Sequence, residues 1–200
     1  MYIPAAFRET RLDALYGLIQ ANSFGALVSR LQDELFATHI PFLLDPAHGA
    51  NGMLRGHFAR ANPHWQAFDG TESLAIFQGP HAYISPAWYI AEEAVPTWNY
   101  AVVHVYGAPR SIEDPAAVRD LLEQTVSTFD TEGWSTRRVD EAYITKLAKA
   151  IVAFEMPIAR LDGKKKLGQN RPAEDARGAA RGLRAVAEQM EAAARLRTDA

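Results

Sequence analysis

Two hundred residues, 48% of them hydrophobic, suffice for one domain with an appendage and a sizeable core. The absence of Cys excludes disulfides, thiolate catalysis and thiolate-bound metal, and a net charge of −3 is not the footprint of a compact nucleic-acid binder. No apolar run reaches the roughly 18 residues of a membrane span, and MYIPAAFRET has no basic-then-apolar leader pattern, so a cytoplasmic protein with no membrane partner is expected.

Along the chain, Thr10 and Asp13 have capping-box spacing. Leu12, Leu15, Leu18 and Ile19 then recur at helical intervals, which predicts a helix over 10–21. Strands are predicted over 24–29, over 35–44 with Pro41 inside, and over 53–59. In the last, Arg55, His57 and Ala59 share one face and Leu54, Gly56 and Phe58 the other. Asn62 caps a short helix over 62–68 with Pro63 at its first position. Strands follow over 72–78, 82–85 and 97–112, the longest placing Tyr100, Val102, His104 and Tyr106 on one face. Asp114-Pro115 opens a helix with Val118, Leu121, Leu122, Thr125, Val126 and Phe129 as its apolar stripe. A further helix over 140–151 turns Tyr143, Ile144, Leu147, Ala148 and Ile151 inward. A last strand covers 154–161, and 163–172 reads as a basic loop. The final helix, over 174–197, lines Ala176, Ala180, Leu183, Ala187, Met190 and Ala194 along one face. Many short strands without βαβ alternation argue for α+β with an antiparallel barrel.

The chemistry-bearing residues concentrate in 56–100. This stretch holds three of the four Trp, three of the six His, and Pro63, Pro80, Pro86 and Pro96. Prolines that fix φ, beside flat side chains with polar tips, suit loops that build a pocket on a sheet. Three readings compete. Arg60 offers a two-pronged donor to a phosphate beside the helix capped by Asn62, with His57 and Thr38 adding donors. Trp88, Tyr89, Trp98 and Tyr100 supply walls for a flat ring, with Thr97 and Asn99 at its edge. His39, His57 and His104 supply scattered ligands for a metal or haem, without HExxH or His-x-His spacing. No Ser-His-Asp pattern, P-loop or GxGxxG is present, and no catalytic residue is legible. Residues 159–200 carry +4, from ten Lys or Arg against six Asp or Glu, on a body of −7. Lys164, Lys165, Lys166 and Arg171 are the strongest basic cluster, and the embedded Gln169-Asn170 argues for a structured loop.

GHFARANPHW, IFQGPHAYISPAWY and VPTWNYAVVHVYG, with MYIPAAF at the start and GKKKLGQNRP at 163–172, resemble the PaiB-type family of FMN-binding negative transcriptional regulators. The resemblance covers nearly the whole chain, in order. It departs at Gly168, where the family motif has Ser. It implies an α+β fold built on an antiparallel split β-barrel with flanking helices and a C-terminal helical appendage, divided as 1–161 and 162–200. It also implies FMN as cofactor at the interface of a homodimer, and DNA as a partner. The candidate cofactor-binding residues are then Thr38, His39, His57, Arg60, Asn62, Ser85, Trp88, Thr97, Trp98, Asn99, Lys164, Lys166, Gln169 and Arg171. A flavin-dependent oxidoreductase and a haem-binding split barrel stand as alternative functions.

Overall fold

Helix α1 (Leu12–Ala21) begins from Arg11, which makes no side-chain capping bond, so Thr10 is not the N-cap that its spacing predicts. Leu15 and Ile19 are buried, Leu18 packs at the core margin, and Leu12, predicted inward, is exposed. These coordinates are a computed structural model that describes residues 1–198 and the side chains of 1–136 and 138–191. Strands β2 (Phe24–Leu31) and β3 (Glu34–Pro41) form an antiparallel hairpin, in register from Phe24 opposite Pro41 to Leu31 opposite Glu34. Its turn, Gln32-Asp33, has φ of 49° and 67°, the left-handed pair of a type I′ turn. Pro41 ends β3, and β4 (Leu43–Asp45) starts in another sheet, so the single strand expected over 35–44 is two.

Strand β5 (Met53–Ala59) alternates as predicted, with Leu54, Gly56 and Phe58 buried and Arg55 and His57 half-buried. A 3-10 helix, Pro63–Ala67, follows. Strand β6 (Ser73–Ile84) runs unbroken through Gly79 and Pro80, where two strands were expected. Its pairing with β2 covers only Leu74–Ile76, so on that side Pro80 removes no ladder bond. The strand expected over 97–112 is instead β7 (Thr97–Gly107) and β8 (Arg110–Ile112), separated at Pro109.

Helix α2 (Pro115–Phe129) is capped by Asp114, whose carboxylate accepts from the Ala116 amide at 3.2 Å. Helix α3 (Glu141–Lys149) is capped by Asp140. It buries Ile144 but leaves Tyr143 and Leu147, both predicted inward, exposed. Ile151 begins β9 (Ile151–Pro157), followed by β10 (Arg160–Lys166). The run Lys164–Lys166 therefore lies in a strand, not a loop. Its composition says loop, but β10 sits between β1 (Arg8–Glu9) and β7, and that pairing decides. Helix α4 (Ala173–Thr198) buries Asp175, Gly178 and Ala179. Ala180, Ala187 and Met190, predicted inward, are exposed, and Ala194 lies outside the described side chains.

One sheet has the order β1-β10-β7-β6-β2-β3 and the other β4-β5-β9-β8. The architecture is α+β, with antiparallel sheets, flanking helices and a C-terminal helix, as expected. No described helix is long and apolar enough to cross a membrane. The chain packs as two units. The first comprises Met1, Thr10–Gly79 and Val102–Gly163; the second comprises Tyr2–Glu9, Pro80–Ala101 and the chain from Lys164 onward. The first holds the main core, where Phe42 meets Phe77 edge-on at 5.2 Å and Phe58 stacks on Phe154 at 5.5 Å. The second buries Phe7, Ile84, Ala101 and Ala179.

Candidate functional site

In the first unit, the predicted residues Thr38 and Asn62, both half-buried, belong to a polar chain that runs into the core. Asn62 Oδ1 accepts from the His64 amide at 3.0 Å, and its Nδ2 donates to Thr38 Oγ1 at 3.0 Å. Thr38 Oγ1 lies 2.8 Å from His64 Nδ1, His64 Nε2 lies 2.8 Å from Ser29 Oγ, and Ser29 Oγ lies 2.7 Å from Ser73 Oγ. Two directions satisfy these contacts: Thr38 donating to Nδ1, Nε2–H to Ser29 and Ser29 to Ser73, or all three bonds reversed with the other tautomer. His64 is fully buried, stacked on Phe58 and edge-on to Phe36. That burial holds it neutral, with its pKa lowered to about 4. Thr38 and Asn62 thus engage His64 and each other.

Arg60, exposed at the end of this segment, donates from Nε to the Lys149 carbonyl at 2.8 Å and from Nη2 to the Ile151 carbonyl at 2.7 Å. Its own carbonyl accepts from Trp65 Nε1 at 3.2 Å. The guanidinium fork therefore grips the α3–β9 junction. His57 is half-buried on β5, and burial lowers its pKa. His39 is exposed on β3 and stacks on Phe24 at 6.4 Å. His104 Nδ1 is buried without a partner among the described residues. Among those residues, no group of three or more His, Asp or Glu is placed to hold a metal.

The second unit brings the other predicted residues together. Lys166 Nζ donates to Thr97 Oγ1 and, at 2.6 Å, to the Trp98 carbonyl. Trp98 remains 54% exposed while its ring meets Tyr83 edge-on at 6.2 Å and His81 at 6.4 Å. Buried Lys164 donates to the Tyr2 carbonyl at 3.2 Å and lies 5.1 Å from the Tyr100 ring centroid. Lys165 pairs with Glu9 at 3.4 Å. Gln169 closes its own turn, accepting from the Leu167 amide at 2.7 Å and donating to the Lys165 carbonyl at 2.5 Å. Gly168 in that turn has φ of 88°, a conformation that glycine adopts without strain. A Cβ there would meet nothing closer than 3.8 Å, so backbone conformation, not space, is the constraint.

Ser85 caps the 3-10 turn Pro86–Trp88 by accepting from the Ala87 amide at 3.2 Å. Trp88 is wedged against α4. A Cβ on Gly182 would approach its ring to 2.3 Å, and one on Gly178 its carbonyl oxygen to 2.0 Å. Arg171 lies 4.1 Å over the Tyr89 ring and 3.5 Å from Asp175. Asp175 Oδ1 accepts from the amides of Ile90 at 2.9 Å and Ala91 at 3.3 Å, tying that loop to α4.

A family profile described as "Putative FMN-binding domain" matches residues 1–160. Protease synthase and sporulation protein PAI 2 of Bacillus subtilis is 36% identical over 184 residues, covering 88% of this chain and 85% of that protein. The chain belongs to the PaiB-type FMN-binding family. Among solved structures, flavocytochrome Anf3 of Azotobacter vinelandii superposes with a TM-score of 0.66 at 17% identity, covering 84% of this chain and 74% of that one. An FAD and heme binding protein of Mycobacterium smegmatis gives 0.59 at 15% identity, covering 84% and 78%. At such identities the likeness bears on fold, and the fold of this PaiB-type chain is the split β-barrel.

FMN is the cofactor of the PaiB-type chain. Such a group needs an anion seat and a flat wall. Among the described residues Lys166 makes two bonds with its three ammonium N–H groups, and Trp98 is 54% exposed, so residues of the second unit fit it. Sequence reasoning did not find Asp175, Ser29 or Ser73. Only the spacing of Asn62 and His64 across Pro63 signals the buried chain, and Ser29 and Ser73 join it from strands whose pairing carries no local mark.

Proposed function

We propose that the chain is a homodimeric FMN-binding repressor of transcription, with FMN at the subunit interface against the second unit. The observation that carries this reading is Lys166, held by Thr97 and the Trp98 carbonyl, beside an indole of Trp98 that stays 54% exposed. Thr97, Trp98, Asn99 and Lys166 form the seat. Ser85, Trp88, Lys164, Gln169 and Arg171 hold its loops in place. Bound FMN supplies a redox-active ring, and the chain binds, orients and shields it. A charge-assisted phosphate contact contributes roughly 1.5–3 kcal/mol. Lys166→Ala should therefore weaken FMN about ten- to a hundredfold and leave riboflavin, which lacks the phosphate, nearly unaffected. Trp98→Ala should weaken both. Arg60→Ala, which frees two backbone carbonyls, should leave the FMN-to-riboflavin ratio unchanged. Flavin fluorescence titration reads all three; a ratio that moves with Arg60 and not with Lys166 transfers the phosphate seat to Arg60.

The regulatory half of the reading is supported by the likeness to PAI 2, whose name concerns protease synthesis and sporulation. Lys164 is buried and Lys165 is paired, whereas Arg177, Arg181 and Arg184 recur along α4 with exposed side chains. Replacing these three Arg with Ala should flatten the salt dependence of promoter binding by about one phosphate contact each. If promoter and random DNA bind equally at physiological salt, the flavin-dependent oxidoreductase reading takes its place.

A further inference from the structure

The first unit contains a cavity of about 640 Å³ that the flavin reading does not use. Volumes of about 300–1,000 Å³ are those of small-molecule sites. Its floor is β8 and β9 and its walls are α2 and α3. Ala116, Ala148 and Ala153 line it from three elements, beside the cluster in which Val118 and Leu121 pack on Ala153 with Ala148 and Ile151 at its margin. Helix α3 buries only Ile144 among its described residues, so little else draws it inward.

The lining is mainly apolar, and the cations at its edge outnumber the acids. Arg60, Arg119 and Lys149 line it against Glu113 alone. Arg119 is bound to Glu141, which joins α2 to α3. Arg60 is immobilised by its two carbonyl bonds, and its Nη1 makes no bond among the described residues. Lys149 is exposed and forms no ion pair among those residues. The indole of Trp65, tied to the Arg60 carbonyl, adds a flat wall. A fixed guanidinium N–H and an ammonium beside an apolar hollow match one ligand chemistry: a carboxylate on an apolar body.

We infer that the α2–α3 cavity is a second small-molecule site, for an apolar monocarboxylic acid. The carboxylate sits between Arg60 and Lys149, and the hydrocarbon fills the space over Ala148 and Ala153.

The test uses the FMN-loaded full chain, with octanoate and phenylacetate as probes and octanol and phenethyl alcohol as neutral controls. Calorimetric titration should show the acids binding and the alcohols at least tenfold weaker. Ala148→Leu, which fills the hollow, should abolish acid binding while leaving the FMN titration unchanged. Lys149→Gln, an exposed change compatible with folding, should weaken the acids about tenfold and leave the alcohols unmoved. The inference is overturned if neither acid binds at millimolar concentration, if acids and alcohols bind alike, or if folded Ala148→Leu or Lys149→Gln binds the acids as tightly as the native chain.

Discussion

His64 shows how a buried side chain sets a pH response. Its folded pKa is lowered from 6.5 to about 4 by burial, so between those values the unfolded chain takes up a proton that the folded chain refuses. Stability is therefore intact above pH 6.5 and falls as the pH drops towards 4, by roughly 3 kcal/mol from this residue. Imidazole NMR at pH 5.5 should find His64 neutral; a charged ring at that pH would contradict the effect of its burial. Gly182 gives a second residue-scale expectation. Gly to Ala inside a helix normally stabilises by about 1 kcal/mol. At Gly182 the added Cβ would come within 2.3 Å of the Trp88 ring. Overpacking costs about 1–3 kcal/mol and outweighs the propensity gain, so Gly182→Ala should lower the denaturation midpoint. A raised midpoint would show that the ring moves aside freely.

At the scale of elements, the β2–β3 hairpin holds two non-glycine residues in left-handed conformation, Gln32 at φ 49° and Asp33 at φ 67°. Arg30 Nη1 offsets part of that strain by donating to the Asp33 carbonyl at 2.8 Å. That bond goes to backbone and survives substitution at Asp33. Replacing Gln32-Asp33 with Asn-Gly should then stabilise the chain by about 0.5–1 kcal/mol, read in urea denaturation. No gain would mean that the turn is already relaxed. Helix α4 makes the complementary point. Its first turns are held by Asp175 and the Gly178–Gly182 cradle, while Val186 and Met190 further along are exposed. Hydrogen exchange should therefore be slow near Ala179 and fast near Met190.

For the whole molecule, the second unit exposes Tyr2 at 82% and Trp98 at 54%, together with Tyr83, Ile90 and Val95. Phe24 and Leu35 of the first unit are exposed as well; large apolar side chains left in water suit an isologous interface, where one patch meets its own copy. Light scattering at micromolar concentration should return twice the mass of the 22.1 kDa chain; the monomer mass would remove the interface from the flavin proposal.

The chain-long motifs settled the family and its cofactor, because long ordered motifs survive divergence. Local rules were enough for the caps at Asn62 and Asp114 and for the alternation of β5, because caps and pleats depend on near neighbours. They failed at Pro80, Pro109 and Lys164–Lys166, where pairing partners far along the chain decide whether a strand continues. They failed also at Tyr143, Leu147 and Met190, whose helical spacing promises an inward face but whose side chains are exposed among the described residues. The same distinction separates the site residues. Types and spacing marked Arg60 and Thr38 as anion donors beside the cap at Asn62, and tertiary packing supplies the carbonyls and the imidazole they engage in this structure. It also brings Lys166 to Thr97 and to the Trp98 carbonyl, 69 and 68 residues earlier in the chain, because a side chain's partners are fixed by which strands lie side by side.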